Sequence, residues 1–187
     1  VLRGETKISK SRSRIERIRL VPAVCKPLPE TLAAIAEADL ITFGPGSLFT
    51  SVIPNLLVDE IPHAIQRSPA TKACFINLMS QPGETTGFTA SDHVTAIHNH
   101  AIHNQAVLKL IDVVIVNDHP ATVSQRRKYA AEKARPVVND LERLEQMNVE
   151  VVGADLLGEG PVVRHDPDRT ARIAVELARR SRVLASV

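Results

Sequence analysis

Apolar positions along the chain fall into short unbroken runs separated by stretches with helical spacing, and most runs end in turn residues. The clearest run, over 111–116, is apolar at every position but Asp112 and predicts a strand buried on both faces. Runs over 39–43, 72–78 and 149–152 predict further strands, with a shorter one at 136–138. Between them the spacing turns helical. Residues 29–38 open with Pro29 and place Leu32, Ile35 and Ala36 on one face. Two short helical pieces follow Ser47, interrupted near Pro54 and Pro62. Ser91 and Asp92 are placed to cap a helix running through Val94, Ile97, Ala101 and Leu108. Residues 122–133, a turn at 140–146 and an amphipathic stretch over 168–182 complete the helices. At the amino end, 1–8 and 15–21 read as strands, the second with Ile15, Ile18 and Leu20 among charged residues. Strands alternating with helices predict one α/β domain over 1–187, a layered fold with a mainly parallel sheet.

The most informative junction is Asp39-Leu40-Ile41-Thr42-Phe43-Gly44-Pro45-Gly46-Ser47-Leu48-Phe49-Thr50-Ser51. A buried strand ends in Gly44, Pro45, Gly46 and Ser47 and passes at once into a hydroxyl-rich helix start. Glycines permit a tight turn and close backbone approach to a ligand. The following helix offers unpaired N–H groups and a positive dipole end, and Ser47, Thr50 and Ser51 add hydroxyl donors. An anionic ligand, usually a phosphate, suits that arrangement; an ordinary Ser-capped strand-to-helix turn has the same pattern.

Two further strands deliver polar residues at their carboxyl ends, where open α/β sheets bind ligands. Asn77 leads into Gln81-Pro82-Gly83-Glu84-Thr85, and Asn117-Asp118 follows the strand over 113–116. Gly83, Glu84, Thr85 and Asn117 therefore join the candidate site. His93, His98, His100 and His103 fall on one predicted helix, without the His-Glu-x-x-His spacing of a metal site. His93, beside Asp92 and just after the Gly-Glu-Thr turn, is the histidine placed to contact a ligand. Arg164, in Arg164-His165-Asp166 before the last helix, is suited to clamp a phosphate bidentately. Glu84, Asp118 and Asp166 are candidate bases or magnesium ligands, and no complete catalytic constellation is visible.

Composition narrows the classes. The chain has 187 residues, 44% of them hydrophobic and 24% charged, with a net charge of +2. One Tyr, four Phe and no Trp argue against single-strand nucleic-acid binding by stacking. The basic residues from Lys7 to Arg19 read as a solvated strand face rather than a nucleic-acid patch. Cys25 and Cys74 lie far apart, as expected in a reducing cytoplasm. No apolar run approaches the roughly 20 residues of a membrane span, and no signal peptide is visible.

Several motifs in order resemble the YvcK-type gluconeogenesis-factor family. They are Gly4-Glu5-Thr6-Lys7-Ile8, Ala38-Asp39-Leu40-Ile41, the stretch from Gly44 to Ser51, Pro54-Asn55-Leu56-Leu57 and the stretch from Asn77 to Thr85. Asp92-His93-Val94, Tyr129, Pro136-Val137 and Arg164-His165-Asp166 continue the pattern, so the resemblance covers nearly the whole chain. The family is related to the 2-phospho-L-lactate transferases of deazaflavin coenzyme biosynthesis, and the resemblance implies their fold, a Rossmann-like three-layer α/β sandwich of CofD-like form with a mainly parallel sheet.

The resemblance implies a cytoplasmic bacterial protein that binds a nucleotide sugar, notably UDP-N-acetylglucosamine, and supports gluconeogenic growth and cell shape as a regulator rather than an enzyme. It implies that Tyr129 stacks on the uracil ring and that Arg164 pairs with the diphosphate. A homodimer is also in keeping with the family. The family's opening Gly-Gly-Gly-Thr-Gly loop has no counterpart here, so the chain is expected to be the C-terminal part of a longer domain. Phe49 stands where the family carries Tyr. The alternative reading is a phospholactyl transferase, which would bring Mg2+ as its cofactor; a structural module with a vestigial cleft is the third.

Overall fold

The computed structural model describes residues 1, 3, 4, 7, 15–103, 106–160 and 162–185. Half of the predicted strand over 1–8, much of the Gly4-to-Ile8 motif and the basic residues within 8–14 lie outside the described residues. The elements in order are α1 (Pro29–Glu37), β1 (Leu40–Phe43), a π-helical turn (Leu48–Val52), α2 (Ile53–Leu56), α3 (Ile61–Arg67), β2 (Thr71–Phe75), α4 (Ala90–His100), β3 (Ile102–His103), β4 (Ala106–Val107), β5 (Val113–Asn117), α5 (Val123–Ala131), α6 (Leu141–Gln146), β6 (Glu150–Ala154) and α7 (Pro167–Ala185).

The sheet has the strand order β1-β2-β5-β6, and every neighbouring pair is parallel. Alternation along each strand sends successive side chains into two separate cores. Cys74, Ile76, Val114 and Val116 face the larger core with Ile53, Ile65, Val94, Ile97 and Leu144 of the helices. Ala73, Phe75, Val113 and Ile115 face the smaller one, closed by Ile173, Ala174 and Leu177 of α7. Helices therefore cover both faces, giving the expected three-layer sandwich. Burial pushes the Cys74 thiol up to about 12.

Four local expectations are corrected. Residues 15–20 form no strand. Ile15 and Ile18 are three apart rather than two, and they pack on the larger core from an irregular segment. The Ile18 N–H donates to His100 Nε2 at 3.2 Å instead of to a sheet. The expected helix through Leu108 stops at His100, and β3 pairs with β4 as an antiparallel hairpin. Leu108 still reaches the core because the chain folds back, its N–H donating to Ala101 O at 2.7 Å. The cap of α4 is Thr89, whose side chain accepts from Asp92 N while the Asp92 carboxylate accepts from Thr89 N. Ser91 lies inside the helix, with its hydroxyl and N–H both donating to Asp140. Burial raises the Asp140 carboxyl, but those hydrogen bonds outweigh it and hold the group below its ordinary value. The short strand at 136–138 is reduced to isolated bridges, Met79 with Pro136 and Thr89 with Val138.

Candidate functional site

The loops after β1, β2, β5 and β6 gather at the carboxyl edge of the sheet. Gly44 leaves β1 with φ +78°, and a Cβ there would stand 3.2 Å from Phe75 O and 3.3 Å from Gly46 N. Glycine is therefore required at Gly44 both by conformation and by space. Gly46 is different: its backbone is ordinary, and a Cβ would meet only Ser51 Cβ at 3.7 Å. Pro45 completes the turn between them.

The element after the turn is shorter than the sequence suggests. A five-residue π-helical turn leads into the four-residue α2, too short for an extended macrodipole. What the loop offers an anion is its own backbone and hydroxyls. It is held from the β2 side by three hydrogen bonds. Asn77 Nδ2 donates to Gly46 O at 2.9 Å, Gln81 Nε2 to Ser47 Oγ at 2.7 Å, and Thr50 Oγ1 to Glu84 Oε1 at 3.0 Å. Ser51 is exposed at the start of the next turn, its carbonyl accepting from Asn55 Nδ2.

The turn over 81–85 is thereby a brace. Gly83 takes φ +88°. Thr85 is fully buried, with Oγ1 accepting from Gln81 N at 2.9 Å. Glu84 is 5% exposed and His93 3% exposed. His93 Nδ1 meets Thr89 O at 2.8 Å, so Nδ1 carries the proton toward that carbonyl. Burial lowers the pKa of His93, opposed by the Thr89 carbonyl and the nearby carboxylates of Asp92 and Asp140. Its Nε2 is buried without a hydrogen-bond partner, and the ring helps to line a small void beneath Gly44 and Gly46. Phe49 packs edge-on to Phe88 and to the His100 ring, a setting with no need of a hydroxyl.

Across the sheet edge, Asn117 stitches together the ends of β5 and β6. Its Oδ1 accepts from Leu156 N at 3.0 Å, its Nδ2 donates to His119 O, and its carbonyl accepts from Asn139 Nδ2 at 2.8 Å. Tyr129 and Gln125, one helical turn apart on α5, hold the loop after β6. Tyr129 Oη accepts from Val163 N at 3.0 Å, and Gln125 Nε2 donates to Gly160 O at 2.9 Å. Arg164 follows Val163 directly and is exposed, with no ion-pair partner among the described residues. His165 Nε2 donates to Ile76 O at 3.1 Å, tying the loop to the end of β2. Burial lowers the His165 pKa, against that bond. Arg169 pairs with Asp155 and with Asp166, fixing the base of the same loop.

A cleft of about 250 Å³ lies between these two groups, lined by Asn77 and Asn117 and also by Asp118, Arg126, Asn139 and Val163. Asn77 belongs to both sides, so the braced 44–47 loop and the cleft are continuous. Arg126 and Asn139 were not singled out from sequence; a charged residue on an exposed helix and an Asn after a short strand carry no signal of their own. Among the described residues no three His, Cys, Asp or Glu side chains gather as a metal centre. No helix among them is long and apolar enough to cross a membrane.

The family profile described as 2-phospho-L-lactate transferase CofD matches residues 1–157. The chain is 42% identical over 178 residues to a gluconeogenesis factor of Bacillus subtilis, covering 95% of this chain and 55% of that protein. A gluconeogenesis factor of Halalkalibacterium halodurans is 40% identical over 177 residues, covering 94% and 53%. A crystal structure of a UPF0052 family member from Bacillus halodurans superposes with a TM-score of 0.86 at 41% identity, covering 92% of this chain and 54% of that one. The chain thus spans about half the length of the curated relatives it matches. With the sheet, the braced loop and these similarities together, the chain belongs to the CofD family, among relatives named gluconeogenesis factors.

Proposed function

We propose that this protein binds a UDP-sugar, UDP-N-acetylglucosamine in the first instance, and acts in the bacterial cytoplasm as a non-catalytic regulator of gluconeogenic growth and cell shape. The observation that carries the reading is the exposed, unpaired Arg164 guanidinium on a loop fastened by Tyr129, Gln125 and His165, beside a cleft continuous with the braced 44–47 loop. An arginine held by its backbone and left free at its side chain is arranged to meet an incoming diphosphate. The relatives' names support the gluconeogenic role. Calorimetric titration with UDP-N-acetylglucosamine tests the reading. Saturable binding is expected, with Arg164→Ala weakening it by about 1.5–3 kcal/mol, or roughly 10- to 150-fold. No saturable heat from the wild-type protein refutes it.

The transferase alternative rests on the description of the family profile. It calls for Mg2+, which one or two carboxylates commonly hold together with the substrate's phosphates. Phospholactyl transfer to a deazaflavin acceptor, measured with an authentic activated donor, would establish it in place of the regulator.

A further inference from the structure

The polar lining of the cleft has a consistent chemical sense. Asn77 directs its amide NH2 to Gly46 O, and Asn139 directs its own to Asn117 O. A backbone carbonyl only accepts, so these partners settle which end of each amide is which. The end left over is the oxygen in both cases. Neither Oδ1 has a hydrogen-bond partner among the described residues, and neither is among the buried unpaired atoms, so both oxygens stay open to solvent on residues that line the cleft. Asp118, exposed in the same lining, adds a carboxylate that makes no hydrogen bond or ion pair among the described residues. Three residues with free acceptor groups thus line one cleft, accompanied by one cation, Arg126. Leu157 and Val163 supply apolar wall beside them.

We propose that this cleft is a polyhydroxyl subsite, in which vicinal ring hydroxyls donate to Asn77 Oδ1, Asn139 Oδ1 and the Asp118 carboxylate. The inference rests on the UDP-sugar reading and specifies which part of the ligand sits where. A hydroxyl is a donor that an acceptor-rich wall satisfies, whereas a phosphate would meet three acceptor groups, one of them negatively charged. The C–H face of a sugar ring packs on Leu157 and Val163. The volume of about 250 Å³ falls below the roughly 300–1,000 Å³ of pockets that enclose a whole drug-sized ligand. The cleft takes one ring, with the phosphates directed toward Arg126, Arg164 or the 44–47 loop. Two rings of a nucleotide sugar carry vicinal hydroxyls, the hexose and the ribose.

The test titrates wild-type protein and Asp118→Ala with UDP, 2′-deoxy-UDP and UDP-N-acetylglucosamine. Asp118 contributes no side-chain hydrogen bond to the fold, so its truncation leaves the brace intact. A hexose occupant makes the sugar nucleotide about tenfold tighter than UDP, or about 1.4 kcal/mol, and Asp118→Ala abolishes that advantage. A ribose occupant makes 2′-deoxy-UDP about tenfold weaker than UDP, with Asp118→Ala reducing UDP to the deoxy level. Equal affinity of the wild type for all three ligands, or an Asp118→Ala profile matching the wild type, overturns the subsite while leaving uridine recognition standing. Absence of binding by all three removes the UDP-sugar reading and the subsite together.

Discussion

Gly44 and Gly46 look equivalent in the sequence, and the structure makes opposite demands on them. Alanine at Gly44 must hold φ near +78°, a left-handed conformation that costs an L-residue roughly 1–2 kcal/mol. Its Cβ would also press on Phe75 O at 3.2 Å and Gly46 N at 3.3 Å. Both are backbone atoms that cannot rotate away, and overpacking of this kind typically adds about 1–3 kcal/mol. Against this stands about 0.4–1 kcal/mol from the lower entropy of the unfolded chain. The net expectation is a loss of about 2–3 kcal/mol, or roughly 4–12 °C in Tm for a domain of this size. Alanine at Gly46 meets only Ser51 Cβ at 3.7 Å, an ordinary contact, and keeps its stability within about 0.5 kcal/mol of the wild type or gains slightly. Urea unfolding of the two variants measures the difference directly. Because Gly46 O is the acceptor for Asn77, Gly44→Ala also disturbs the loop where the ligand is proposed to sit, and weaker binding should accompany its loss of stability. Equal costs at the two positions would refute the assignment of the turn to Gly44 alone.

Burial lowers the pKa of His93, His98, His100 and His165 in the folded protein. The unfolded chain therefore binds more protons below about pH 6.5, and stability is full above that value and falls as pH drops through the folded values, by up to about 1.4 kcal/mol per pH unit for each histidine. A urea midpoint at pH 5.5 equal to or above that at pH 7.5 contradicts this. Tyr129→Phe removes the partner of Val163 N and is expected to cost about 0.5–1.5 kcal/mol, with faster amide exchange at Val163; unchanged exchange would mean that α5 does not hold the loop. Leu177, 4% exposed, is the most deeply buried of the described α7 side chains and packs with Phe75 and Ile115, and Leu177→Ala is expected to cost about 2–4 kcal/mol by denaturant melt. A loss under 1 kcal/mol there would show that α7 covers the sheet without closing its core.

The sheet was legible because its central strands obey a single rule: the run over 113–116 is apolar at every position, and both faces of that strand are buried. The 44–47 turn was legible for a similar reason, since a positive φ leaves glycine as the fitting residue. Errors arose where two structures satisfy one pattern. Ala101 and Leu108 have helical spacing, yet a hairpin delivers both to the same core. Ile15 and Ile18 look strand-like among charges, but their spacing matches a segment lying across the core rather than pairing with it. Ser91 and Thr89 are both competent caps, and the choice depends on Asp140 arriving from α6, which local sequence does not reveal.

The candidate site divides by burial into two kinds of residue, and that division separates holding from binding. Thr85, His93 and Glu84 are nearly closed to solvent, while the side chains of Asn117 and Tyr129 are engaged with neighbouring backbone. Any ligand contact from Asn117 or Tyr129 is made past bonds they already form. Arg164, Arg126 and Asp118 are exposed, and the free oxygens of Asn77 and Asn139 stand beside them. Each of the two asparagines has one end tied to a carbonyl and the other open, so the fold sets their orientation before a ligand arrives. Preorganisation of that kind lowers the ordering cost of binding. It also makes the open ends, rather than the buried histidines, the positions at which substitution should alter which ligand is chosen without altering whether the protein folds.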